Sequence, residues 1–228
     1  MAISPGGLGI QRVYVGDTAL AGVYLGSSKL WAPASYDTSN VGVQANSYGP
    51  TFPYTASAGA DVFVAVSIDR APSSFTGVTY GGVAMELVSA VHHDGASQYG
   101  TLRLYRLRGA GTGAAKTVAV QMVGNLLLAV SAISFHNTPS TLSPSTATGF
   151  STAATQTVSL VGPVGLYVAS AGGAGSPTWP FNSFSGVTNR TNRNANGTQL
   201  TLSTVASSGA VTATSAGSDH WASIFVPF

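Results

Sequence analysis

Two runs of this chain fix its architecture more than any others. Asp61–Ile68 reads Asp-Val-Phe-Val-Ala-Val-Ser-Ile, and 126–135 is apolar apart from Ser131 and Ser134. Neither approaches the ~20 residues needed to span a bilayer, so no membrane insertion is expected. Successive side chains of a strand point to opposite faces. A strand that is apolar at both parities must therefore be covered on both sides, which places these two at the centre of a packed β-structure.

The remaining runs are shorter and carry turn signals between them. Val41 and Val43 alternate with small residues and suit a first strand, and 48–54 reads as an extended, turn-rich stretch. Residues 76–80 and 83–90 flank Gly81-Gly82 and read as a hairpin, because Gly supplies the positive φ of a two-residue turn. In 101–108, Leu102 and Leu104 share one face while Tyr105 and Leu107 share the other; a bulge between them would restore one inward face. Val118, Val120 and Met122 alternate cleanly. The Ser/Thr/Pro-rich 137–150 is expected to be a surface connection. Short strands are expected at 156–160, 165–170, 187–193, 199–204, 210–213 and 222–226. No segment has a helical period. The expected fold is all-β, a β-sandwich or jelly-roll-like domain.

Charged residues make up 7 % of the 228 positions, against about 25 % in ordinary globular chains. A hydrophobic content of 44 % argues against disorder, since it supplies a core. A surface so poor in charge suits a chain whose faces are covered by neighbours. The net charge of +2 is thinly spread; Arg103, Arg106 and Arg108 do not make the basic stripe of a nucleic-acid binder. With no Cys there are no disulfides, thiol nucleophiles or Cys-based zinc sites.

Catalytic patterns are weak throughout. The Gly-rich 109–114 imitates a dinucleotide loop, but a strand and not a helix follows it, so a turn is expected and no cofactor. His92 and His93 point to opposite faces of a strand and, with Asp94, make a poor chelate; no metal site is expected. Asp219-His220 has the beginnings of a triad, but the chain lacks a Gly-x-Ser-x-Gly elbow. Glu86 is the only Glu, and Asp61 and Asp69 would stand about 25 Å apart on an extended strand, too far for paired carboxylates. An enzyme is not expected. Sugar binding has better material: Trp179 precedes Asn189, Arg190, Asn192 and Arg193 in a turn-rich region, an aromatic platform with amides and guanidiniums. This is the candidate glycan or receptor site; the alternative is a core Trp and a polar loop.

Residues 13–31 hold a tandem repeat. Val13-Tyr14-Val15-Gly16-Asp17-Thr18 is followed, ten positions on, by Val23-Tyr24-Leu25-Gly26-Ser27-Ser28, and the stretch ends at Trp31. Two short strands, each with a Gly-led turn, predict a small β-meander, too small to be stable alone. Its surface residues Tyr14, Tyr24, Leu30 and Trp31 are the candidate attachment or oligomer contacts. Ala32-Pro33-Ala34-Ser35 reads as a linker, so the expected division is an attachment segment at 1–33 and the sandwich at 34–228.

The repeat resembles the N-terminal segment of minor tail proteins of long-tailed phages, notably those of actinobacterial hosts. The resemblance is specific over roughly the first tenth of the chain and looser beyond it. It implies a virion structural protein of the tail tip or fibre, assembled with copies of itself, as a trimer, and with other tail proteins, and touching host-envelope glycan. A virion location fits the lack of a signal peptide at the N-terminus. The alternatives are a capsid decoration or head fibre protein and a non-catalytic carbohydrate-binding module.

Overall fold

The computed structural model describes residues 14–15, 18–19, 22–25, 28–47, 49–69, 75–122, 126–173, 179–195 and 197–228. The strands, in chain order, are β1 (Tyr14–Val15), β2 (Thr18–Ala19), β3 (Val23–Leu25), β4 (Ser28–Trp31), β5 (Ser35–Ser47), β6 (Thr51–Thr55), β7 (Asp61–Ile68), β8 (Phe75–Tyr80), β9 (Val83–Ala84), β10 (Glu86–His92), β11 (Thr101–Leu107), β12 (Ala115–Met122), β13 (Leu126–His136), β14 (Ser145–Val158), β15 (Gly165–Ala171), β16 (Phe181–Ser185), β17 (Thr188–Ala195), β18 (Thr198–Val205) and β19 (Gly209–Pro227). Two single 3-10 turns, His93–Gly95 and Ser97–Tyr99, lie between β10 and β11. The fold is all-β, as the alternating and doubly apolar runs require.

Three antiparallel sheets stack face to face. The middle sheet has the order β10-β11-β7-β13-β5, and β7 is its central strand. All eight residues of β7 are buried. One parity, Phe63 and Ala65, joins Leu102, Leu104, Ala129, Ile133 and Phe135 in a core shared with Leu166, Val168, Leu200, Leu202, Ile224 and Val226 of the sheet β14-β19-β15-β18-β17. The other parity, Val62, Val64, Val66 and Ile68, packs with Phe52, Tyr54, Val78, Tyr80, Val118 and Val120 of the sheet β6-β12-β8-β9. The doubly apolar strand is thus explained by a third layer. The rings of Phe63, Phe135 and Phe228 meet at centroid distances of 4.8 to 5.9 Å, within the favourable range for tilted and edge-on aromatic pairs.

Several boundaries differ from expectation, each for a physical reason. The strand Thr101–Leu107 needs no bulge: it pairs in unbroken register with β7 from Thr101↔Ile68 to Leu107↔Val62. Its two apolar parities serve two different cores, Leu102 and Leu104 in one and Tyr105 in the other. The register shift falls instead on its partner β10, between Leu87 and Ser89. The hairpin around Gly81-Gly82 is cut short at Ala84, because Met85 turns into the second core and the chain crosses to the middle sheet. The stretch 51–55 is a strand, and the connection after β13 ends at 144, with 145–150 already part of β14. The two short strands expected at 210–213 and 222–226 are one strand, β19.

The β14–β19 ribbon bends. Ser145–Ser151 pair with Phe225–Asp219, but Ala153 pairs with Thr214, so 215–218 bulge opposite Thr152. Beyond the bend β16 adds to the other side of β19, at Thr212–Ser215. Ala154, Val158, Phe181, Val211 and Ala213 of the folded-back half then pack with Tyr167, Ala169, Trp221 and Phe225 on the outer face of the third sheet.

Within residues 13–31 each repeat unit makes its own hairpin. Tyr14↔Ala19 and Val15↔Thr18 pair in the first unit, and Val23↔Trp31, Tyr24↔Lys29 and Leu25↔Ser28 in the second. Among the described residues the expected single meander is therefore two separate two-stranded sheets, neither of them paired with the sandwich. The side chains of Tyr14, Tyr24, Leu30 and Trp31 lie outside what the structure describes. Ala34 is buried in the first core, one residue before β5 begins.

Candidate functional site

The Asn and Arg side chains singled out on 189–193 all lie on β17, and the fold uses each of them internally. The Asn189 carboxamide donates to the Thr201 hydroxyl, at 2.5 Å, and to the Thr191 carbonyl. That of Asn192 donates to the Phe181 carbonyl at 2.7 Å. The Arg190 guanidinium lies 4.1 Å above the Tyr36 ring and its Nε donates to Thr204 Oγ1. Arg193 donates to the Gly42 carbonyl at 2.7 Å. The Arg190–Tyr36 and Arg193–Gly42 contacts stitch β17, at the edge of the third sheet, to β5, at the edge of the middle one, and the Asn contacts stay within the third sheet. Guanidiniums so engaged hold two layers in register, while Arg190 and Asn192 remain exposed. Trp179 lies against a different element. A Cβ added at Gly217, in the bend of β19, would sit 2.4 Å from its Nε1, so the indole rests directly on backbone, with 41 % of the residue still exposed.

The bend organises a second aromatic group that the strand pattern did not reveal. Phe150 of β14 faces His220 of β19 in register, with ring centroids 4.7 Å apart, and Phe150 is 59 % exposed. His220 stacks on Tyr99 at 3.6 Å with an interplanar angle of 7°. Its Nδ1 lies 3.1 Å from Asp94 Oδ2. Asp94 has φ +47°, a left-handed conformation uncommon for a residue with a Cβ. The result is a row of three rings with a carboxylate at one side, assembled from β14, β19 and the two 3-10 turns. Phe150 was hidden in sequence because 137–150 read as a connection. The available signal was its parity: it shares the outward row of Thr148 and Thr152.

The turn also carries a buried anchor. His93 is fully buried; its Nδ1 lies 2.8 Å from the Gly172 carbonyl and 2.9 Å from that of Tyr99, so Nδ1–H donates there. Nε2 accepts from the Ser170 hydroxyl at 2.7 Å. Burial drives the imidazole pKa down to about 4, against the opposing pull of the two carbonyls. This Ser–His pair has no path to a substrate, since Ser170 is as buried as His93. His92 turns to the other face, where its Nδ1 meets Thr101 Oγ1, so the two His and Asp94 converge on no ion. Among the described residues no group of three metal-ligating side chains occurs.

The other motifs also resolve into local structure. In 109–114, the Gly111 and Gly113 amides donate to the Ala60 and Ala56 carbonyls, which occupies the donors a phosphate would need. His220 pairs with Asp94 and not with its neighbour; Asp219 Oδ1 accepts the His220 backbone N–H. Burial raises the Asp219 carboxyl above its ordinary pKa, and the His220 contacts only partly offset this. Asp37 accepts from the Ser57 N–H, the Ser57 hydroxyl and the Ser134 hydroxyl, with His136 3.8 Å away. Burial opposes ionisation there, but the hydrogen bonds prevail and hold the carboxyl below its usual value. Arg106 donates to the Pro139 and Ser140 carbonyls and lies 3.6 Å from Glu86, beside a shallow cleft of about 220 Å³.

Among the described residues no helix is long and apolar enough to cross a membrane. Comparison with protein families, with curated proteins and with solved structures finds no match to this chain.

Proposed function

We propose that this chain is a bacteriophage virion structural protein, a minor tail protein of the tail tip or fibre, whose work is mechanical and adhesive and not catalytic. The observation that carries the reading is the tandem unit of 13–31. Among the described residues each copy pairs with itself as a two-stranded sheet, and a two-stranded sheet has backbone edges that a neighbouring copy or tail component can extend. The repeat's resemblance to phage tail segments supplies the identity of that neighbour. A second support is the way the polar side chains are used: Asp37, His93, Arg106, Arg190 and Arg193 all serve internal contacts. Among the described residues the outward face of the sheet containing β6 and β12 presents Thr51, Pro53, Thr55, Thr117 and Gln121 and no charge, a surface suited to burial against sister copies. A homotrimer on the virion is the assembly that this reading expects.

Light scattering on the purified full chain, with gold-labelled antibody on intact particles, tests it. The expected result is a mass of three copies and label at the tail. A stable monomer at high concentration, with no label on any particle, would overturn it. Label on the head instead would favour a capsid decoration protein.

A further inference from the structure

We propose that Phe150, His220, Tyr99 and Asp94 form a saccharide-binding subsite, which takes a pyranose ring through one C–H face and an adjacent pair of hydroxyls. The proposal rests on the adhesive part of the reading above and names the chemical class of what is held.

A strand row of Thr148, Phe150 and Thr152 faces water, and Phe150 is its only apolar member. A phenyl ring left 59 % exposed gives up most of the burial that normally retains such a residue. It is not loose, however, because His220 supports its ring and Tyr99 supports His220. The face of an aromatic ring carries partial negative charge and attracts the polarised C–H groups of a sugar. His220 lies flat on Tyr99 and Phe150 leans against it at 47°, so the exposed Phe150 ring offers one open aromatic face and not a cage of rings. That geometry favours a flat ligand over a small cation, which needs several rings around it.

The carboxylate supplies the second half of the recognition. His220 Nδ1 engages one oxygen of Asp94, Oδ2. This contact fixes the carboxylate plane and leaves Oδ1 to accept hydroxyls. The left-handed backbone at Asp94 holds the side chain at the edge of the platform, and the buried His93 beside it anchors the turn to β15. The parts of this platform therefore come from well-packed elements, as a preorganised site requires.

The test uses the full-length protein and the methyl pyranosides of glucose, galactose, mannose and N-acetylglucosamine, followed by saturation-transfer NMR and titration. The expected result is binding of at least one glycoside, with saturation transfer arising from the Phe150 and Tyr99 rings. Phe150→Ala and Asp94→Gly should each weaken it by about tenfold or more. Asp94→Gly is informative because Gly tolerates φ +47°, so the carboxylate is removed without strain. Trp179→Ala should leave the affinity within about twofold, an ordinary mutational scatter well short of a tenfold step. The proposal is overturned if no glycoside binds, if tetramethylammonium binds in preference, or if binding is lost in Trp179→Ala and kept in the other two. If binding fails while the trimer and the tail label are found, the structural reading survives without this subsite. Binding without any particle association would leave the subsite and remove the virion.

Discussion

Lowering the pH from 7 to 5 should loosen this protein at one buried imidazole. His93 is neutral and fully buried, with a folded pKa of about 4, against an ordinary value near 6.5. A depressed imidazole pKa means that the unfolded chain binds the proton first. The contribution of His93 is therefore complete above pH 6.5 and is lost as pH falls toward 4. At pH 5 the unfolded imidazole is charged about 30 to 1 and the folded one about 1 to 10, which together cost about 2 kcal/mol; the limit well below pH 4 is about 3 kcal/mol. The other shifted acids do not mimic this. Asp37, held below its usual value, starts to lose its contribution as pH falls into the ordinary carboxylate range and completes the loss below it. Asp219, raised by burial, shifts stability the other way, gaining as it protonates. Urea unfolding at pH 7 and pH 5 measures the difference, and His93→Gln is the control. Gln can donate to the Gly172 carbonyl and accept from Ser170, but it does not titrate. The variant should be less stable at pH 7 and should lose less than the native protein between pH 7 and 5. Equal losses in the two proteins would refute the assignment.

Three further substitutions have expected outcomes. Gly42→Ala should cost at least about 2 kcal/mol in thermal unfolding, since φ is +64° and a Cβ would lie 2.1 Å from the Val130 carbonyl oxygen. Phe63→Ala should cost about 3 to 5 kcal/mol by opening a void among Phe135, Phe228 and Leu104, whereas the exposed Phe150→Ala should stay within about 0.5 kcal/mol. Arg193→Met should cost about 1 to 2 kcal/mol by leaving the Gly42 carbonyl without its donor, and amide exchange should rise along β17.

Strands whose side chains meet one or two cores were legible from the chain itself. The two apolar parities of Asp61–Ile68 imply a central strand, and it is buried throughout; Val118, Val120 and Met122 point inward as their alternation implies. The misreading of Thr101–Leu107 has an instructive cause. A strand with Leu at one parity and Tyr at the other looks like a slipped single face unless a third layer is known to exist. Nothing local announces a third layer, because layering depends on which distant strand arrives. The same limit governed the ligand residues. Asn189, Arg190, Asn192 and Arg193 have suitable chemistry for a sugar, but Thr204, Tyr36 and Gly42 engage the two Arg, and Thr201 and Phe181 engage the two Asn. Phe150 gave only a faint signal, and its meaning depends on Tyr99 and His220, 51 and 70 positions away.

The order of the layers follows the order of the chain. Residues 35–136 supply every strand of the first two sheets, and 145–227 supply the third alone. A chain halted after residue 136 would therefore hold the strands of both sheets, with the side that carries Phe63, Leu102, Leu104 and Ile133 left uncovered by the third. That side is a broad greasy wall of the kind that glues nascent chains together. It stays bare until Leu166, Leu200 and Ile224 are made, so a messenger cut anywhere in between yields a sticky product and not a smaller working one.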